Sequence, residues 1–155
     1  MRVLRIDHIG INVEDIQAVK KFFVALGFTV QGEMDVEGEW VGKIIGLENV
    51  RDSIVMLHAP GGEAMIELVQ FHSPKDEKGL QPFQSNTLGM RHICLAVDDV
   101  EAAVATVKKH GGELMGVIHN YENIYKLCYV RGPEGIILEF AQQLGKQSDP
   151  FAKAN

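Results

Sequence analysis

The chain has 155 residues, 46% hydrophobic and 23% charged, with 15 Lys+Arg against 21 Asp+Glu and a formal net charge of −6. That size and apolar content suit one compact domain and exclude intrinsic disorder, while only 16 glycines and 5 prolines exclude a collagen-like or low-complexity chain. No apolar run nears the roughly 20 residues of a membrane span, and the acidic balance argues against nucleic acid or an anionic membrane as partner. Arg5 and Asp7 interrupt any apolar leader, and Cys94 and Cys128 make no disulfide framework, so the expected location is the cytoplasm.

In chain order, Ile9, Ile11 and Val13 alternate with His8, Gly10 and Asn12, which predicts a strand with two different faces. Asp15 then stands as an N-cap, and Ile16, Val19, Phe22, Phe23 and Leu26 follow at helical spacing up to Gly27. Residues 35–53 read as an insertion in which Trp40 to Leu47 forms a short helix. After the turn Pro60-Gly-Gly62 comes a second strand, Met65-Ile-Glu-Leu-Val-Gln70. A polar stretch with Pro74 and Pro82, residues 72–89, reads as a linker. Beyond it Ile93, Leu95 and Val97 mark a strand, Asp99 a cap, Val100, Ala103, Val104 and Val107 a helix, and Gly111-Gly112 its end. The turn Pro133-Glu-Gly135 precedes a last strand, Ile137-Leu-Glu-Phe-Ala-Gln142, and residues 144–155 read as a loose tail.

These elements repeat. Asp7-His-Ile-Gly-Ile-Asn-Val-Glu-Asp15 aligns with Arg91-His-Ile-Cys-Leu-Ala-Val-Asp-Asp99, and the closing strands align likewise. The chain therefore reads as a single domain of two modules, about 4–71 and about 90–143, the first carrying the insertion. His8 matches His92, and Glu67 matches Glu139. All four alternate with the apolar positions of their strands, so they belong to the face turned away from the helices. A carboxylate in the middle of an apolar strand is costly unless something compensates it. A divalent cation bound by two imidazoles and two carboxylates would do so, leaving open positions to polarise a substrate oxygen.

With these segments, together with Ala64-Met-Ile-Glu-Leu68 and Gly132-Pro-Glu-Gly-Ile-Ile-Leu-Glu-Phe140, the chain resembles the vicinal-oxygen-chelate superfamily. That group includes glyoxalase I, methylmalonyl-CoA epimerase, extradiol dioxygenases, fosfomycin-modifying enzymes and bleomycin-binding proteins. The resemblance implies an α+β fold, two tandem βαβββ modules forming a curved, cup-shaped mixed sheet with helices on its outer face. It implies His8, Glu67, His92 and Glu139 as ligands of a divalent metal (Ni, Zn, Co, Mn or Fe) and a homodimer. It further implies a small-molecule substrate presenting one or two chelating oxygens. Two histidines and two carboxylates look most like a glyoxalase I-type lyase or isomerase working through an enediolate or enolate. Glu139 is then the first choice of base and Glu67 the reciprocal proton donor. An epimerase-like isomerase, an extradiol-type dioxygenase and a non-catalytic binding or resistance protein are the alternatives. The chain departs from glyoxalase I in the Trp40–Asp52 segment, which has no counterpart there, and in lacking matching groups to hold glutathione.

Other residues have weaker claims. Asn12 and Cys94 share a strand face with the histidines and are candidates to touch substrate, although a small buried filler is the ordinary reading of Cys94. Trp40 and Arg51 are candidates to cover the site and bind an anionic group, against the plain reading that Trp40, Ile44, Ile45 and Leu47 pack the extra helix. His58, His72, His110 and His119 have no repeat partner and read as surface or loop residues.

Overall fold

The computed structural model describes residues 1–62 and 64–145, so most of the tail expected from residue 144 onward lies outside the described residues. Two compact units divide the chain between Gln81 and Pro82. Each is an α+β sandwich of one sheet and one long helix. No helix among the described residues is long and apolar enough to cross a membrane.

In the first unit the order is β1 (His8–Asn12), α1 (Ile16–Ala25), β2 (Thr29–Glu37), α2 (Glu39–Ile45), β3 (Arg51–His58) and β4 (Met65–Ser73). The sheet runs β1-β4-β3-β2, with β1 parallel to β4 and the other neighbours antiparallel. Helix α1 begins where Asp15 accepts a hydrogen bond from the Ala18 N–H at 2.9 Å, and it ends at Gly27, whose φ of 97° only glycine adopts freely. Its spacing buries Ile16, Val19, Phe22 and Phe23, and Val55, Leu57, Ile66 and Leu68 are the buried positions of β3 and β4. Gln70 ties the last strand to this helix: its amide donates to the Glu14 carbonyl at 2.6 Å and accepts from the Ile16 N–H at 3.5 Å.

The second unit repeats the plan with β5 (His92–Ala96), α3 (Val100–Lys109), β6 (Glu113–Leu114), β7 (His119–Tyr121), β8 (Tyr125–Arg131) and β9 (Ile137–Gln143). Its sheet runs β5-β9-β8-β6, with β7 also on β8 and β5 parallel to β9. Asp99 caps α3 by accepting from the Ala102 N–H at 2.9 Å, and Gln142 accepts from the Val100 N–H at 3.0 Å, repeating the ties of the first unit. Val100, Val104 and Val107 are the buried residues of α3, beside buried Cys128, Val130, Leu138 and Phe140 of the sheet.

The segment between β2 and β3 differs from its sequence reading. Strand β2 runs through Glu37 and pairs Val36 with Asp52 and Asp35 with Ser53, so the interruption narrows to 38–50. Glu33, Asp35 and Glu37 alternate with Met34 and Val36, so the strand period continues into the stretch read as an insertion. Helix α2 does not pack Trp40, Ile44, Ile45 and Leu47, which stay exposed; Val41 alone joins Val36, Val50, Ile54 and Phe71 in a small core. The chain turns back through left-handed Gly46, and the Leu47 carbonyl presses on Gly42, so the helix's inner face meets its own return segment. Asp52 is buried in this region at 3% exposure, and burial raises its carboxyl above the ordinary value.

Gly112 closes α3 onto β8. A Cβ there would meet the Arg131 carbonyl and lie 2.6 Å from Val107 Cγ1, whereas one at Gly116 would meet nothing within 4 Å. Gly112→Ala is therefore expected to cost about 1–3 kcal/mol through overpacking. Denaturant unfolding should show that loss for Gly112→Ala and a near-neutral Gly116→Ala.

Candidate functional site: two matched His–Glu pairs

The parallel pairing of the first and last strands sets each pair. Residue Gly10 lies opposite Glu67, and Cys94 lies opposite Glu139, so in both units the histidine sits two residues before the carboxylate's partner. Both side chains then lean toward each other across the edge of the sheet on the face without the helix. His8 Nε2 stands 3.5 Å from Glu67 Oε2, and His92 Nε2 stands 3.2 Å from Glu139 Oε2. The histidines are about 40% exposed and the glutamates about 20%, so each pair opens outward instead of sealing itself as a buried ion pair.

This donor set fits a divalent cation. Two ligands at right angles, with bonds of about 2.1 Å, are separated by about 3 Å, near the observed nitrogen–oxygen distances. Imidazole and carboxylate donors together suit first-row metals such as Ni, Zn, Co, Mn or Fe. Among the described residues no group of three or more His, Cys, Asp and Glu side chains is gathered to hold a metal, so each unit holds a His–Glu pair and not a complete shell.

The surroundings of the two pairs differ. His8 Nδ1 lies 3.2 Å from Asp7 Oδ2, and Arg5 holds the other Asp7 oxygen at 2.9 Å. These contacts, the one from His8 first, hold the exposed Asp7 carboxyl below its usual range and fix the imidazole's orientation. His92 has no such carboxylate; its ring stands edge-on to Tyr129, 5.0 Å between centroids, with the Tyr129 hydroxyl 3.4 Å from Nε2. Tyr129 pairs with Glu139 across the β8–β9 hairpin, where the first unit has Met56 opposite Glu67. Sequence reasoning missed Tyr129; aligning the hairpin registers as well as the His and Glu motifs would have found it.

The candidate substrate residues separate. Asn12, four residues after His8 on the same strand face, lines a cavity of about 750 Å³ with Val13, Leu47, Phe71, Pro74 and Leu80. Trp40 lies exposed on α2, and Arg51 opens β3 opposite Glu37; neither lines that cavity. Cys94 is not the buried filler expected of it. It occupies the exposed face of β5, because the helix covers the opposite face. His72 is likewise no loop residue: it lies half-buried in β4 and shares a hydrogen bond of 2.8 Å with Ser53, which donates to Asp35 at 2.6 Å. His58 and His119 also lie on strands, exposed, and His110 caps α3.

The fold and the repeated pairs define a class. Residues 5–140 match the family described as the Glyoxalase/Bleomycin resistance protein/Dioxygenase superfamily, and the chain belongs to it. A glyoxalase family protein from Bacillus cereus of known structure is 37% identical, with a TM-score of 0.86 over 94% of this chain and 97% of that one. The uncharacterized protein YaeR of Escherichia coli (strain K12) is 27% identical over 142 residues, 90% of this chain and 96% of its own. The trypanothione-dependent glyoxalase I of Leishmania major is 20% identical with a TM-score of 0.61, covering 90% of this chain and 87% of that one, and shares the fold.

Burial pushes the Cys94 thiol up to about 11, and the neighbouring Glu139 carboxylate adds to the rise. Cys94 should then alkylate at least tenfold more slowly than an ordinary thiol at pH 7.5. Its rate should climb with pH until the thiol titrates. Iodoacetamide labelling of metal-free protein, read by peptide mass spectrometry against pH, checks this.

Proposed function

We propose that the protein is a metal-dependent lyase or isomerase of the glyoxalase I kind, moving a proton beside a substrate carbonyl. The observation that carries this reading is the duplicated pair: His8 with Glu67 and His92 with Glu139, in one register on the open sheet face of each unit. In the proposal His8, Glu67, His92 and Glu139 together hold one divalent cation, and the chain works as a homodimer. When bound, the cation supplies Lewis acidity toward a carbonyl or hydroxyl oxygen of the substrate.

The chain's own groups do the rest. His8 and His92 would be the imidazole donors, with Asp7 holding the His8 ring in place through Nδ1. One carboxylate of the Glu67/Glu139 pair takes the proton from the carbon beside the carbonyl, and the C–H electrons pass into an enediolate or enolate. The proton returns to the neighbouring carbon in an isomerisation, whereas in an epimerisation the other carboxylate delivers a proton to the opposite face of the same carbon. Asn12 and its cavity, lined by Leu47, Phe71 and Leu80 but also by Lys75 and Asp76, provide a mixed polar and apolar recess for the substrate's remainder. Trp40 and Arg51 lie off this recess, so their part in binding substrate is not proposed.

An iron-dependent dioxygenase needs only one carboxylate beside two histidines, which leaves Glu67 without a task; the duplicated carboxylate favours proton transfer. Metal-loaded protein is expected to exchange deuterium from solvent into α-hydroxyketone thioesters or 2-methyl acyl-CoAs without consuming O₂. Exchange should fall at least 100-fold in the double variant Glu67→Gln/Glu139→Gln, consistent with general acid–base catalysis. Mass spectrometry of the recovered substrate decides, and no exchange into either class would count against the reading.

A further inference from the structure

A cation drawn partly out of water is costly unless an opposite charge compensates it. Among the described residues Lys20, Lys126, Arg131 and Arg91 are the half-buried cations. The first three each have a carboxylate: Glu33 at 2.9 Å, Glu101 at 2.6 Å and Glu113 at 3.7 Å. Arg91 has none among the described residues. Its guanidinium lies over the Phe83 ring, the central carbon 4.5 Å from the ring centroid, and its Nε is shielded from solvent with no hydrogen-bond partner. Such stacking fixes the plane of a guanidinium and leaves its outer donors free, which suits the two-pronged grip on a carboxylate or phosphate. A second guanidinium is anchored on the same residue: Arg131 Nη1 donates to the Phe83 carbonyl at 3.1 Å. Arg131, Ile137 and His92 form one row across β8, β9 and β5, and Arg91 directly precedes His92. In the first unit the matching places hold Asp7, and His58 in the row with Met65 and His8. Two guanidiniums thus stand beside His92 where the repeat has a carboxylate and an imidazole beside His8.

We propose that Arg91 and Arg131, both braced by Phe83, form an oxyanion site beside His92 that takes a carboxylate or phosphate group of the substrate. The proposal names the charge of the substrate and rests on the proton-transfer reading for what the anion belongs to; the site itself stands on the two arginines. Arg131 gives up little to serve it, because an ion pair of 3.7 Å with the exposed Glu113 is weak. The backbones of His92 and Arg131 are two strand spacings apart, about 10 Å. One small molecule can therefore meet the histidine with its carbonyl end and the arginines with its charged end. With a net charge of −6 the chain offers anions no general attraction, so a local pair of guanidiniums is what would select them.

Anion titration of the metal-free full chain tests this without any substrate. Inorganic phosphate and acetate are added in separate series at constant ionic strength, and the arginine Nε–H signals are followed by NMR. The Arg91 and Arg131 signals should shift saturably while that of Arg51 stays in place. Tighter binding of phosphate would assign a phosphate ester to the site, and tighter binding of acetate a carboxylate. Arg91→Gln should weaken the binding at least tenfold, the loss expected of charge-assisted hydrogen bonds. In the deuterium-exchange assay the same variant should raise the half-saturating concentration of substrate about tenfold and leave the maximal rate within about twofold. No saturable shift with either anion, or an equal shift at Arg51, would overturn the site. An unchanged half-saturating concentration in Arg91→Gln would overturn its service to the substrate. Saturable anion binding without any deuterium exchange by the wild-type chain would instead sink the proton-transfer reading and leave the oxyanion site standing.

Discussion

Everything at the candidate site depends on how a short parallel edge strand registers against the strand that closes its unit. Gly10 against Glu67 and Cys94 against Glu139 set each histidine one diagonal from its carboxylate. A slip of one residue would send His8 or His92 to the helix-covered face and bury an imidazole among Phe22, Phe23 or Phe140. The apolar partners of the same strands prevent that slip. Leu68 and Leu138 are fully buried, as are Val55, Leu57 and Val130 beside them, and none can be moved to the open face without exposing the core. The helices add a second lock, because Gln70 and Gln142 bond the N-terminal turns of α1 and α3 from the closing strands. The hydrophobic core thus specifies the site's geometry, and the exposed face is left free to carry chemistry.

Duplication gives two pairs of the same geometry, and divergence around them makes them unequal. Asp7 steadies His8 from below, while Tyr129 and Cys94 crowd Glu139. In the first unit Gly10 and Met56 take the places beside Glu67 that Cys94 and Tyr129 take beside Glu139. The repeat therefore accounts for the four proposed ligands.

The sequence made the repeat, both helices with their caps, and the His–Glu face legible, because each rests on local rules: alternation, helical spacing and a carboxylate before the first turn. Belonging to the glyoxalase-like superfamily was legible for the same reason, since its motifs coincide with these strands. Strand β2 was lost where its second half was counted into the insertion, whereas the short helix α2 was legible and the packing of its apolar residues was one of two open readings. Cys94 was misjudged because a cysteine's burial depends on which face of the sheet the helix covers. Tyr129 stayed invisible because its contact with His92 is made across two strands, β8 and β5, both paired to β9.

X-ray absorption spectroscopy of the metal-loaded protein is the most direct measurement of the central claim that His8, Glu67, His92 and Glu139 share one cation. The account predicts one metal ion per four-residue set with two imidazoles in its first shell, falling to one imidazole in either His8→Ala or His92→Ala. A shell of oxygen donors alone, or an imidazole count that neither substitution changes, would contradict it.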